Sequence, residues 1–204
     1  MTAFDHPPRT AALLLALALA SPAAAQVAPD TAPAAPDVTV PDAKAPGTTA
    51  RDTVRRWFDG FEFVPTAEHY ARIGAELGPA LITIAADPAE HPVVRARAVS
   101  AMAAATDAAT LAHLGALLDD PDAESLLRRK AALALAERRG EAAIDRLAQA
   151  LTNAPDDVPL REACARALRG LGPAAHATRD ALLRGETAPT VRGLLGAEKR
   201  IGID

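Results

Sequence analysis

Leu127-Arg128-Arg129-Lys130-Ala131-Ala132-Leu133-Ala134-Leu135 has sister phrases on both sides. Val94-Arg95 stands 33 residues before Leu127-Arg128, Leu160-Arg161 stands 33 after it, and Val191-Arg192 follows 31 later. Ala98, Ala131 and Cys164 fall three residues after their Arg, Ala101, Ala134 and Ala167 six after, and Met102, Leu135 and Leu168 seven after. Asp87-Pro88 and Asp120-Pro121 keep the same interval upstream. A fixed period of this length marks a solenoid, in which each unit buries its apolar face only against its neighbours. The expected fold is all-α: a right-handed α-solenoid of about four helix-turn-helix repeats.

Each period holds two apolar runs at helical spacing. Leu111, Leu114 and Leu118 form one stripe, Ile144, Leu147 and Leu151 repeat it, and Leu81 extends the series backward. Breaks at Asp87-Pro88, Asp119-Asp120-Pro121 and Asn153-Ala154-Pro155 separate the helices of a pair. The second helices are predicted to begin near Pro92, Ser125 and Val158, with Pro92 and Pro159 in the first turn, where a missing N–H costs nothing. Gly140 reads as a left-handed C-terminal cap. The abundant Ala allows close helix approach. Cys164 has no partner for an intrachain disulfide and occupies an Ala position, so it reads as a small buried apolar residue.

Five of the six aromatics, Trp57, Phe58, Phe61, Phe63 and Tyr70, lie just before the first clear repeat. They suit a cap over the exposed end of a solenoid, or a docking patch, since Trp and Tyr are frequent interface anchors. Further back, Arg9 precedes an apolar run from Ala11 to Ala20, and Ala23-Ala24-Ala25 supplies a small-residue cleavage site. That is the pattern of a secretory signal peptide over 1–25, too short for a membrane span. Residues 26–50 carry Pro29, Pro33, Pro36, Pro41 and Pro46 without apolar period and read as a disordered linker. The repeat domain then covers 51–204: an aromatic cap over 51–65, repeats over 66–106, 107–140 and 141–172, and a degenerate last one over 173–204.

Without Arg9 and Lys44, and without Asp5, Asp30, Asp37 and Asp42, 20 basic residues face 22 acidic ones. This balance offers no electrostatic case for nucleic acid. Arg128-Arg129-Lys130 points in different directions on a helix and reads as a solvated face.

The Asp-Pro turn, the Val/Leu-Arg pair and the Ala and Leu at fixed offsets resemble HEAT repeats, closest to the short phycobilisome-lyase-type class, over roughly residues 66–195. The tetratricopeptide and ankyrin signatures are missing. The resemblance implies that Arg95, Arg128 and Arg161 pair with turn acids such as Asp87, Asp120 and Asp157. The alternative is a row of guanidinium groups gripping an anionic partner. Some HEAT-repeat hydroxylases carry metal on His-Glu dipeptides; here Glu68-His69 and Glu90-His91 reverse the order, and no metal or cofactor is expected. Phosphate loops and nucleophile elbows are also missing. The expected role is that of an exported, non-catalytic binding or scaffold module, periplasmic or secreted, acting as a monomer or a complex subunit on another protein. A lyase- or chaperone-like protein working on a ligand in the concave face is the alternative. Trp57, Phe61, Arg95, Arg128 and Arg161 are the candidate partner-binding residues.

Overall fold

A computed structural model of the chain describes residues 49–60 and 63–196. The chain divides into two units, Met1–Val40 and Pro41–Asp204, and every described residue belongs to the second. The expected signal peptide, all but the end of the expected linker, Phe61 and the last eight residues lie outside the described ones.

The described residues form α-helices and short 3-10 turns, with no strand among them. They run α1 (Ala50–Asp59), α2 (Ala67–Ile73), α3 (Leu77–Ala86), α4 (Pro92–Ala101), α5 (Ala108–Asp119), α6 (Ser125–Arg139), α7 (Ile144–Asn153), α8 (Val158–Gly170), α9 (His176–Gly185) and α10 (Pro189–Gly196). Four hairpins follow, α3–α4, α5–α6, α7–α8 and α9–α10, and their second helices α4, α6, α8 and α10 pack on one another in that order. This is an α-solenoid.

Local chemistry sets the element boundaries. Asp107 accepts from the Thr110 N–H at 2.7 Å and Asp157 from the Leu160 N–H at 3.0 Å, each capping the start of its helix. Pro92 and Pro159 sit in first turns, where no carbonyl waits for their missing N–H. Three hairpins are entered through a 3-10 turn that starts on a glycine with positive φ: Gly74 (66°), Gly140 (55°) and Gly172 (62°). Gly140 ends α6, its N–H closing on the Ala136 carbonyl, but its ψ of −131° lies outside the left-handed helical well. The conformation is open to glycine all the same.

The core repeats as the spacing requires. Leu81, Leu114 and Leu147 are buried from the first helices, and Ala98, Ala131 and Cys164 from the second. Burial pushes the Cys164 thiol up to about 12, so it carries no reactive thiolate.

The aromatic cap belongs to the same scheme. Relative to Arg51, Val54, Trp57 and Phe58 fall three, six and seven residues on, the offsets of Ala98, Ala101 and Met102 from Arg95, and all three are buried. α1 packs on both α3 and α4. It acts as a lone second helix, with bulky residues where the interior repeats use alanine. The short α2 that follows buries none of its residues.

Candidate functional site

The arginine series is a ladder. Arg95 Nε donates to the Ala85 carbonyl at 2.9 Å and Arg128 Nε to the Leu118 carbonyl at 3.2 Å, each tying a second helix to the end of its own first helix. The same side chains reach forward: Arg95 pairs with Glu124, Arg128 with Asp157 at 4.0 Å, and Arg161 with Glu186. Asp157 is one of the turn acids the resemblance implied, whereas Glu124 and Glu186 serve where Asp87 and Asp120 were expected. Asp87 pairs with Arg51, and Asp120 accepts the Asp122 N–H of its own turn, because the acids at the start of the next second helix lie within reach of each Arg. The three side chains are 14, 10 and 13% exposed, so little of each guanidinium faces solvent. α1 adds a rung, Arg55 Nε donating to the buried Glu90 at 2.7 Å.

Glu186 closes the far end of the ladder. Burial pushes its carboxyl upward, but the Ala188 and Thr187 N–H groups and the Arg161 guanidinium outweigh that and hold it below the ordinary glutamate value.

Trp57 is 1% exposed. Its ring meets Tyr70 and His69 edge-on at centroid distances of 6.1 and 5.7 Å, and Phe63 packs at 6.2 Å. His69 Nδ1 accepts from the Thr66 N–H at 3.1 Å, which fixes the Nε2-protonated tautomer. The indole N–H is buried without a hydrogen-bond partner among the described residues, so among these Trp57 contributes bulk. Burial raises the Tyr70 phenol to about 12, and it stays protonated.

Beside this cap runs a groove of about 490 Å3. Trp57, Phe63, Val64, Pro65 and Tyr70 form one wall; Val93, Ala96, Ser100 and Ala104 of the α4 segment and Leu126 of α6 form the other. Val64 is 78% exposed and Val93 45% exposed; they are the large apolar residues left open among the described ones, and both lie on this groove. Arg97 also lines it, but donates to the Phe58 and Gly60 carbonyls at 2.6 and 2.8 Å, capping α1. Lys130 and Glu137 of α6 complete the lining and pair with no described residue.

Of the candidates drawn from the sequence, Trp57 borders the groove from beneath, whereas Arg95, Arg128 and Arg161 belong to the ladder. Val93, Val64, Lys130 and Glu137 were not singled out. One signal existed: Val93, Leu126 and Pro159 keep the 33-residue period two places before each ladder Arg, an apolar row at helix starts that no first-turn position requires. Among the described residues no group of His, Cys, Asp and Glu could hold a metal ion, and no helix is long and apolar enough to cross a membrane.

No curated protein and no solved structure matches the chain. Residues 78–169, from α3 into α8, match the family model described as HEAT repeats. Such repeats are typically non-catalytic and suggest a protein–protein interaction or scaffold role. The stacked hairpins with that match make residues 78–169 a run of HEAT repeats.

Proposed function

We propose that the protein is an exported scaffold that holds another protein on the exposed face of its second helices, beside the N-terminal cap. The observation that carries this reading is that Val64 and Val93 open onto one groove. A monomer gains nothing by leaving two large apolar residues on a shared concavity, and a partner that covers them removes that surface from water. Arg9, the apolar run Ala11–Ala20 and Ala23-Ala24-Ala25 support export, to the periplasm or beyond the cell. The reading needs no covalent step.

The alternative, a lyase- or chaperone-like protein acting on a small ligand, would want polar groups converging on one point. The groove offers Arg97, already committed to two carbonyls, and Lys130 and Glu137 seven positions apart.

A photoreactive residue placed at Val93, with Gln149 on α7 as control, tests the proposal in cells. The expected result is a discrete protein adduct from position 93 and none from 149. No adduct at 93, or the same adducts at both positions, would remove the scaffold reading.

A further inference from the structure

Charge sorts by helix layer. The first helices α3, α5 and α7 hold one basic residue, Arg146, against Asp119 and Asp145. The second helices α4, α6 and α8, leaving aside the ladder arginines, hold seven basic residues against Glu137 and Glu162. Six of the seven, Arg129, Lys130, Arg138, Arg139, Arg166 and Arg169, pair with no described carboxylate. A positive layer therefore lies on a chain whose net charge is −4. Arg138, Arg139 and Arg169 stand in last turns, where helix carbonyls favour a cation. Arg129, Lys130 and Arg166 stand mid-helix and have no such reason to be basic. Lys130 lines the groove, and the Nε of Arg129 beside it is buried without a hydrogen-bond partner among the described residues. Leu126, Lys130 and Leu133 share one stripe of α6, and on α8, which packs against it, Arg166 stands 33 residues after Leu133. Basic groups held on neighbouring helices repel one another in the free chain, and an anion laid across them relieves that repulsion.

We infer that the partner protein presents an acidic segment to this layer: its apolar residues enter the groove against Val64 and Val93, and its carboxylates face Arg129, Lys130 and Arg166. The inference rests on the scaffold reading and adds the chemistry of the partner. Apolar burial supplies affinity, and charge sets selectivity and the rate of encounter. The apolar walls favour such a segment over a nucleic acid or an anionic lipid headgroup, either of which would meet the cations and leave Val64 and Val93 uncovered.

The test is an NMR titration of the full chain with three end-blocked peptides: Gly-Glu-Leu-Leu-Glu-Glu-Leu-Leu-Glu-Gly, the same peptide with Lys for Glu, and the same with Ser for Leu. The acidic apolar peptide is expected to bind about tenfold tighter than the basic one, through several exposed pairs that are each weak. It should also bind tighter than the serine version, which has no apolar side chain to bury. The preference over the basic peptide should shrink as salt is raised. Arg166→Glu, at an exposed position outside the groove, should weaken the acidic peptide about threefold. Asp145→Lys, exposed on α7 of the other layer, should leave it within about twofold. Equal affinity for the acidic and basic peptides would overturn the inference. So would an Asp145→Lys gain as large as the Arg166→Glu loss, which would assign the preference to net charge. Tighter binding of a short DNA duplex or of phosphatidylglycerol vesicles than of the acidic peptide would give the layer to that anion instead. If the charge preference fails while the crosslink from position 93 persists, the scaffold reading stands and only the partner's acidity is lost.

Discussion

α1 and the second helices of the interior repeats use the same three offsets and fill them oppositely. Ala98, Ala131 and Cys164 stand where α1 has Val54, and Ala101, Ala134 and Ala167 stand where it has Trp57. An interior second helix has another second helix on each side, so small residues let the backbones close in from both. α1 has a full repeat on one side only, and must cover that repeat with its own side chains. The difference teaches that position in a stack, more than position in a repeat, decides residue size. It also explains why the groove forms at this end. Trp57, Phe63, Val64 and Pro65 wall the groove on one side, and the Ala-rich segment of α4 walls it on the other.

The largest expected break of this contrast is Trp57→Ala, which leaves the first repeat uncovered. A loss of about 3–5 kcal/mol is expected, read by chemical denaturation, while Gln149→Ala on an exposed surface should stay within about 0.5 kcal/mol. The reverse insult tests the interior. Gly78 of α3 faces the Asp107 carboxylate and the Thr110 hydroxyl so closely that a Cβ would collide with both. Gly78→Ala should therefore cost about 1–3 kcal/mol through overpacking, although alanine is the better helix former.

Glu186 sharpens the comparison at the other end of the stack. Its folded pKa is depressed, so its contribution is present above the ordinary glutamate value and fades as pH falls through and below it. Denaturation midpoints measured from pH 6 down to 3 should converge for the wild type and Glu186→Gln, with the wild type the more stable at pH 6. Parallel curves would mean that the carboxylate adds nothing beyond its hydrogen bonds. The smallest stability change belongs to Val93→Asp, expected within about 0.5 kcal/mol because the side chain is already open. The same variant should abolish the protein adduct formed from a photoreactive residue at Val64, which separates binding surface from core.

Much of the stack could be read from the chain, since period 33 and helical spacing are local patterns. Second helices begin at Pro92, Ser125 and Val158, where the breaks at Asp-Pro and Asn-Ala-Pro placed them. The ladder was half readable. Arg95, Arg128 and Arg161 stand out by their period, and Glu124 and Asp157 each follow their Arg by 29 residues, but Glu186 follows Arg161 by 25, so no single spacing marks all three acids. The α1 motif was present at Arg51, Val54, Trp57 and Phe58, yet α2 intervenes and stretches the interval to Arg95 to 44 residues, which hides it from a period of 33.

What the sequence by itself determined was the repeating unit: which residues are helical, which face each helix buries, and which arginine recurs. Those follow from hydrogen bonds and apolar patterning within about ten residues, so the pattern carries them. What only the tertiary structure decided was the partner of each arginine and the burial of Trp57, together with the groove that joins Val64 to Val93. Each depends on how far one helix stands from another that is distant in sequence. That distance is set by the summed packing of all the residues between them.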